Sequence, residues 1–394
     1  MTTKAKPTEL IVGAGLGGLV LGALLEKTDI PYTIFERQVS SSGYYSYVIA
    51  RSTLYNLLLK QVPSHKIHFG KRVDTVLESN DKVTIKTTDG STFEGDILVG
   101  ADGAYSVVRQ RIYEDHKREG KLPKPDQEKL PYSAICLVGQ TGVVDQKDFP
   151  EFEKPSLFNT LSKDKPYSWM TMATADNKIS YLVMKHLDSS KTTNEAHSNE
   201  VENPEWGPQA AQSMCDETRN LPLSIGPKGT TMGDLYDWTP KDLISKVNLE
   251  EKVFETWHRG RTVLLGDGAV IAMHDALVIA NLLYALPANT SQEIEKAYVE
   301  YKAERYGSAI DAFNASQMVS RFMERGIAGK AALFVMRLLP ASAFDILSRK
   351  HVLRRPQAGF LPPVENKGSL PAEVSLSTEK ARLVHKERLG ALSI

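Results

Sequence analysis

Cysteine is nearly absent from this chain. Its two residues, Cys136 and Cys215, have no CxxC spacing and no histidine-rich neighbour, so they supply neither a disulfide framework nor a zinc site. They read as reduced thiols of a cytosolic protein. An excess of one charge is missing as well. The 48 basic residues balance 48 acidic ones, which argues against nucleic acid or another polyanion as partner. Long apolar runs are lacking: AALFVMRLLP, starting at Ala331, is interrupted by Arg337 and closed by Pro340, too short to span a bilayer. In MTTKAKPTELIVGAG no apolar segment precedes the first strand, so no secretory signal is expected. Internal repeats and heptad runs are absent too.

What is present is ordinary globular material, 41% hydrophobic and 24% charged over 394 residues, enough for two domains or one large fold with an inserted layer. ELIVG at 9–13 reads as a buried parallel strand, GGLVLGALLEKT as a helix and PYTIFE at 31–36 as the next strand, together a βαβ unit. From 66 to 100 the period falls to two: KIHFG, RVDTVLES, KVTIKTT and STFEG are short strands, with Asp89-Gly90 as a hairpin turn. DILVGADG closes this region as another buried strand. The lysine-rich segment 114–130 reads as a linker. YSAICLVGQ, SWMTMATA and KISYLVMKHL then read as antiparallel strands of a second layer, and 188–205 as a surface loop. GPQAAQSMCDETRN and TPKDLISKVNLEEKV read as helices, the latter with Thr239 as N-cap and Pro240 at its first position. RTVLLGD returns to strand, helices follow from about 269, and the polar tail after Pro356 is expected to order only by docking.

Between the first strand and helix lies Gly13-Ala14-Gly15-Leu16-Gly17-Gly18. In such a turn Gly13 permits the tight bend, Gly15 lets the backbone approach a pyrophosphate, and Gly18 lets helix and strand pack closely. The phosphates would sit at the helix N-terminus, where free N–H groups and the dipole favour an anion. Glu36, at the end of the second strand, can accept hydrogen bonds from ribose hydroxyls. This indicates a dinucleotide site without choosing between FAD and NAD.

Two later motifs bear on the choice. Asp102-Gly103, in GDILVGADGAYSVVR, and Gly266-Asp267, in RTVLLGD, each follow a buried apolar strand. Their carboxylates should emerge at strand C-terminal ends, where α/β sheets bind ligands. In order and spacing, the three motifs resemble those of the class A flavoprotein monooxygenases, the p-hydroxybenzoate hydroxylase-like family. YVIARSTLYNLLLKQVP adds the family's Arg-x-x-Leu-x-x-x-Leu helix, headed by Arg51. The resemblance covers most of the chain. It implies a Rossmann-like α/β FAD-binding domain of the glutathione-reductase type (7–115 and 251–290), an antiparallel β-sheet substrate layer (126–250) and a C-terminal helical region with tail (291–394). It also implies that Gly13, Gly15, Gly18, Glu36, Arg37, Arg51, Asp102, Gly103, Asp267, Gly268 and Ala269 bind FAD, with Asp102-Gly103 also serving NAD(P)H. The implied activity is NAD(P)H- and O2-dependent oxygenation of a small apolar or aromatic substrate. The flavin carries the chemistry, so no catalytic side chain and no metal is expected. His274, beside Asp275, reads as a structural histidine rather than a base. Trp169, Met170, Met172, Tyr181 and Met184 either line an apolar substrate pocket or form plain core. A nicotinamide-only dehydrogenase is disfavoured by the later motifs, and no tryptophan sits in the Trp-x-Trp-x-Ile-Pro motif of flavin halogenases.

Two departures accompany the resemblance. Relatives carry a Pro- and Gly-rich loop between the Gly-Asp motif and the next helix, lying against the flavin ring; here GAVIAMHDALVIAN follows Asp267 directly. Relatives also have a long stretch between the Glu36 strand and the Arg51 helix, here about a dozen residues. Both fall at the ring end of the site. The alternative expectation is therefore a shortened FAD-binding paralogue with little or no monooxygenase activity. The apolar run from Ala331, flanked by Lys330, Arg337, Arg349, Lys350, Arg354 and Arg355, suggests peripheral membrane contact, the alternative being a helix packed on the nucleotide domain.

Overall fold

In a computed structural model, residues 7–12, 16–28, 30–35, 51–128, 132–153, 157–161, 166–174, 177–187, 208–250, 252–266, 268–323, 354–363 and 372–392 are described. Strand β1 (Glu9–Val12) leads to helix α1 (Leu16–Leu25) and β2 (Tyr32–Phe35). Helix α2 (Arg51–Leu59) precedes the short β3 (Ile67–His68). Three strands follow, β4 (Val73–Glu78), β5 (Val83–Thr87) and β6 (Thr92–Gly95), then β7 (Ile97–Gly100). Helix α3 (Val107–Arg118) and the single turn α4 (Lys124–Gln127) lead into β8 (Tyr132–Gln140), β9 (Leu157–Leu161), β10 (Tyr167–Ala173) and β11 (Ile179–His186). Helices α5 (Pro208–Thr218) and α6 (Met232–Asp237) precede β12 (Ser245–Glu250), β13 (His258–Arg259) and β14 (Thr262–Leu264). Among the described residues three helices follow: α7 (Ala269–Tyr284), α8 (Ser291–Met323) and α9 (Leu376–Leu392).

The strands form a six-stranded sheet of order β13-β14-β7-β1-β2-β3, a five-stranded sheet β12-β8-β11-β10-β9 and a three-stranded sheet β4-β5-β6. In the first, β14, β7, β1, β2 and β3 run parallel. Alternation sorts their side chains. Ile11 and Val99 face a core built with α1, α7 and α8, whereas Leu10, Val12 and Leu98 face the three-stranded sheet through Val73, Val76, Val83 and Ile85. Both faces are covered, hence the unbroken apolar strands. The antiparallel sheet buries Leu137, Trp169, Tyr181 and Val183 against α5 and α6. Both cysteines are buried free thiols, and burial raises the Cys215 thiol to about 11.

Two expectations need correction. TPKDLISKVNLEEKV is not a helix: Lys241–Leu243 makes one 3-10 turn and the chain enters β12, which pairs with β8 from Ser245↔Val138 to Glu250↔Tyr132. Thr239 caps no helix start there; its hydroxyl donates to the Leu235 carbonyl and accepts from Tyr181. Pairing with β8 outweighed the local helical propensity. The 114–130 segment is no loose linker either. Helix α3 runs through Arg118, and the buried Asp126 accepts from the backbone amides of Glu255 and Thr256, both at 2.8 Å. Val108, Ile112 and Asp115 form its inner stripe, and His116, Lys117 and Arg118 suit the negative helix end. KIHFG is a strand as expected, and its two residues Ile67–His68 join the parallel sheet beside β2.

The Asp89-Gly90 turn is formed, with Gly90 at φ 84°, a region glycine enters without steric cost. The tail docks as expected. Glu304 accepts from the Ser377 amide at the start of α9, and Asn281 bonds both the Gln357 carbonyl and the Gly359 amide. The loop 188–205 and the apolar run from Ala331 lie outside the described residues. Among the described residues no helix is long and apolar enough to cross a membrane.

Candidate functional site

The parallel sheet places the strands that lead into the sequence motifs side by side. Val12 is in register with Phe35 on one side and Gly100 on the other, and Gly100 with Leu264. The chain positions that follow these residues belong to the Gly13–Gly18 turn, Glu36, Asp102-Gly103 and Gly266-Asp267. Motifs separated by more than two hundred residues thus leave four adjacent strands at their C-terminal ends, where open α/β sheets bind ligands. Gly13, Gly15, Glu36, Arg37 and Asp267 themselves lie outside the described residues, as do the side chains of Arg51 and Ala269. Gly18 is buried in the first turn of α1, and Gly268 is the exposed N-cap of α7.

Three helices follow these strands, and they differ in what their N-termini have left to bind. Helix α3 is satisfied internally. Asp102 accepts from the Val107 amide at 2.8 Å and from the Ser106 hydroxyl at 2.6 Å, while Ser106 accepts from the Arg109 amide at 2.9 Å. Burial nevertheless pushes the Asp102 carboxyl above its usual range, with these bonds pulling it back. Asp102 thus shapes the turn, helped by Gly103 at φ 78°. Helices α1 and α7 have no acidic residue in their first turns, and Gly268 offers α7 no side-chain cap. At α7 the first-turn N–H groups and the dipole are left for an anion. A pyrophosphate-bearing dinucleotide fits this donor set.

Gly17 sets how closely the two helices approach. A Cβ there would lie 2.9 Å from Ala272 Cβ and 3.3 Å from Leu265 Cδ1. The sequence reading assigned close packing to Gly18 against the strand and missed this helix–helix contact, whose partner lies far along the chain.

From Leu264 the chain reaches Ala269 with only residues 265–268 between, as the short-link expectation requires. The turn is held by a residue that sequence reasoning noticed only as a neighbour of His274. Asp275, 1% exposed, accepts from the Gly266 amide at 2.9 Å and from Arg305 Nε at 2.7 Å. Burial raises its carboxyl pKa, and the Arg305 guanidinium opposes that rise. An acid one turn into an apolar helix was the available signal. Burial, and then Arg305, lowers the His274 pKa to about 4.

The five apolar and aromatic candidates of the second sheet divide between its faces. Trp169 and Tyr181 lie in the core with α5 and α6. Met170, Met172 and Met184 are half-buried on the opposite face, where Met170 pairs with Leu182 and Met184 with Cys136.

The fold is a Rossmann-type parallel sheet joined to an antiparallel second sheet. A model described as an NAD(P)-binding Rossmann-like domain matches residues 11–57, the βαβ region whose ADP-binding chemistry nicotinamide and flavin dinucleotides share. Among curated proteins, the chain is 28% identical over 296 residues to the FAD-dependent monooxygenase paxM of Penicillium paxilli, covering 70% of this chain and 58% of that one. It is 25% identical over 358 residues to the FAD-dependent monooxygenase atmM of Aspergillus flavus, covering 85% and 70%. The chain therefore spans less than three-fifths of the length of paxM. Among solved structures, HpxO of Klebsiella pneumoniae complexed with FAD and uric acid aligns with TM-score 0.65 at 16% identity, covering 86% of this chain and 95% of that one. The 2,6-dihydroxypyridine-3-hydroxylase of Arthrobacter nicotinovorans aligns with TM-score 0.61 at 14% identity, covering 82% and 94%. The chain has the fold of the class A FAD-dependent monooxygenases, and its sequence is similar to proteins of that name.

Proposed function

We propose that the protein is an FAD-dependent monooxygenase that uses NAD(P)H and O2 on a small apolar or aromatic substrate. The observation that carries this reading is that the strands leading into the three motifs lie side by side in one parallel sheet, next to the helix N-terminus of α7, which has no side-chain cap. Similarity to FAD-dependent monooxygenases supports it. On this reading the turn Gly13–Gly18 receives the pyrophosphate, Glu36 the ribose hydroxyls, and the Gly266–Gly268 turn the ribityl side, with Arg37, Arg51 and Ala269 completing the set. Asp102 and Gly103 act through the shape of their turn. When bound, FAD supplies the redox and oxygen chemistry; the chain's part is to bind, orient and exclude water. The face carrying Met170, Met172, Leu182 and Met184 offers a substrate adaptable apolar contact, which methionine suits through its flexibility.

The test is the visible absorbance of protein purified after incubation with FAD. A flavin band is expected. Glu36→Ala, which removes a charged hydrogen-bond acceptor worth about 1.5–3 kcal/mol, should weaken FAD roughly ten- to hundredfold. Unchanged affinity in that variant refutes the placement of the ribose.

A further inference from the structure

Arg305 and Asp275 are 4% and 1% exposed as an ion pair. Burying two charges is an expensive way to stabilise a fold, since apolar replacements often serve as well. The pair's geometry points to another use. While one oxygen of Asp275 accepts from Arg305, the other accepts from the Gly266 amide, the first residue of the Gly-Asp motif. Two more residues of α8 grip the same strand: Tyr298 donates to the Arg261 carbonyl at 3.1 Å and Tyr301 to the Leu264 carbonyl at 3.0 Å. Positions 298, 301 and 305 fall on one face of a helix; they reach residues 261 and 264 directly and 266 through Asp275, from just before β14 to just past its end. Gly266 is pressed into this clamp: a Cβ there would meet Ile271 Cγ2 at 2.8 Å and Asp275 Oδ2 at 3.0 Å.

We propose that Asp275 and Arg305 are positioning residues that set the backbone at Gly266, where the chain leaves β14, and so govern the fit of the flavin half of the dinucleotide in a chain where only residues 265–268 join β14 to α7. This rests on the FAD-binding reading above. It also separates from it, because ADP engages only the nucleotide end.

The experiment compares the wild-type chain with Asp275→Leu/Arg305→Met, which removes both buried charges together and so avoids stranding one, and with the conservative Arg305→Lys. Three quantities are read: hydrogen exchange at the Gly266 amide without ligand, affinity for FAD and affinity for ADP. In the double variant the amide should exchange at least about tenfold faster and FAD should bind roughly tenfold more weakly, the scale of one lost charged hydrogen bond, with ADP affinity within about twofold. Arg305→Lys, which keeps the charge, should lie much nearer wild type in both. An amide unprotected in wild type, or equally protected in the double variant, overturns the proposal. Parallel weakening of FAD and ADP also overturns it, since that marks a purely structural role. If wild type binds neither ligand, the FAD reading fails, and the exchange rates alone decide whether the pair holds the turn.

Discussion

Glu9 opens β1 wholly buried, and neither carboxylate oxygen has a hydrogen-bond partner. Burial pushes its pKa well above the ordinary value of 4.5. A carboxyl that is harder to ionise in the folded state binds more protons there than in the unfolded chain. Its contribution is complete below the unfolded value and is lost as pH rises toward and through the folded one. Glu9→Gln is neutral at every pH and of similar size, so it should stabilise the protein by an amount that grows as pH rises above about 5. Thermal denaturation of both proteins from about pH 4.5 to pH 8 checks this; a difference independent of pH would show that Glu9 does not change its ionisation on folding. His274 has the opposite sign. Its folded pKa is depressed to about 4, so the stability it contributes is present above the unfolded value near 6.5 and fades as pH falls through the folded one. Nothing near Glu9 in the sequence marks it out, because a single acid at the head of ELIV reads as the polar end of a strand.

At the scale of elements, the contact of α1 with α7 is set at Gly17 and Ala272. A methyl group added to Gly17 forces the helices apart, and overpacking of this kind costs about 1–3 kcal/mol. Gly17→Ala should lower stability by that order, and Ala272→Gly in the same chain should recover part of it. A double-mutant cycle in chemical denaturation measures the coupling, and simple additivity of the two changes would refute the contact. The glycine motif was legible because its chemistry is local: a strand, a turn and a helix written in consecutive residues. The partner of Gly17 was not, since nothing in residues 9–36 names α7. The same limit explains β12. Its segment read as helix from a Pro-headed stretch with charged residues, and only pairing to β8 made it a strand.

The whole molecule must close a water-free space between the parallel sheet's edge and the antiparallel layer if oxygen is to reach a substrate efficiently. Only residues 265–268 join β14 to α7, and the link between the Glu36 strand and the Arg51 helix is short in sequence. With FAD and NAD(P)H supplied, the chain should release hydrogen peroxide in excess over oxygenated product across a panel of apolar and aromatic substrates. Measuring peroxide against product decides this; tight coupling would mean that other segments complete the cavity. The sequence by itself determined the βαβ unit, the period-two strands, the two sheets' worth of apolar segments and the identity of the motif residues, all consequences of local periodicity and turn chemistry. Only the tertiary structure decided that the strands leading into three motifs lie side by side, that Met170 and Trp169 face opposite ways, that Asp102 serves a helix end, and that Arg305 of α8 holds Asp275 on the Gly266 amide. Those outcomes depend on partners supplied by distant segments, and a buried charge or an unfilled glycine acquires its meaning only from the atoms that folding brings against it.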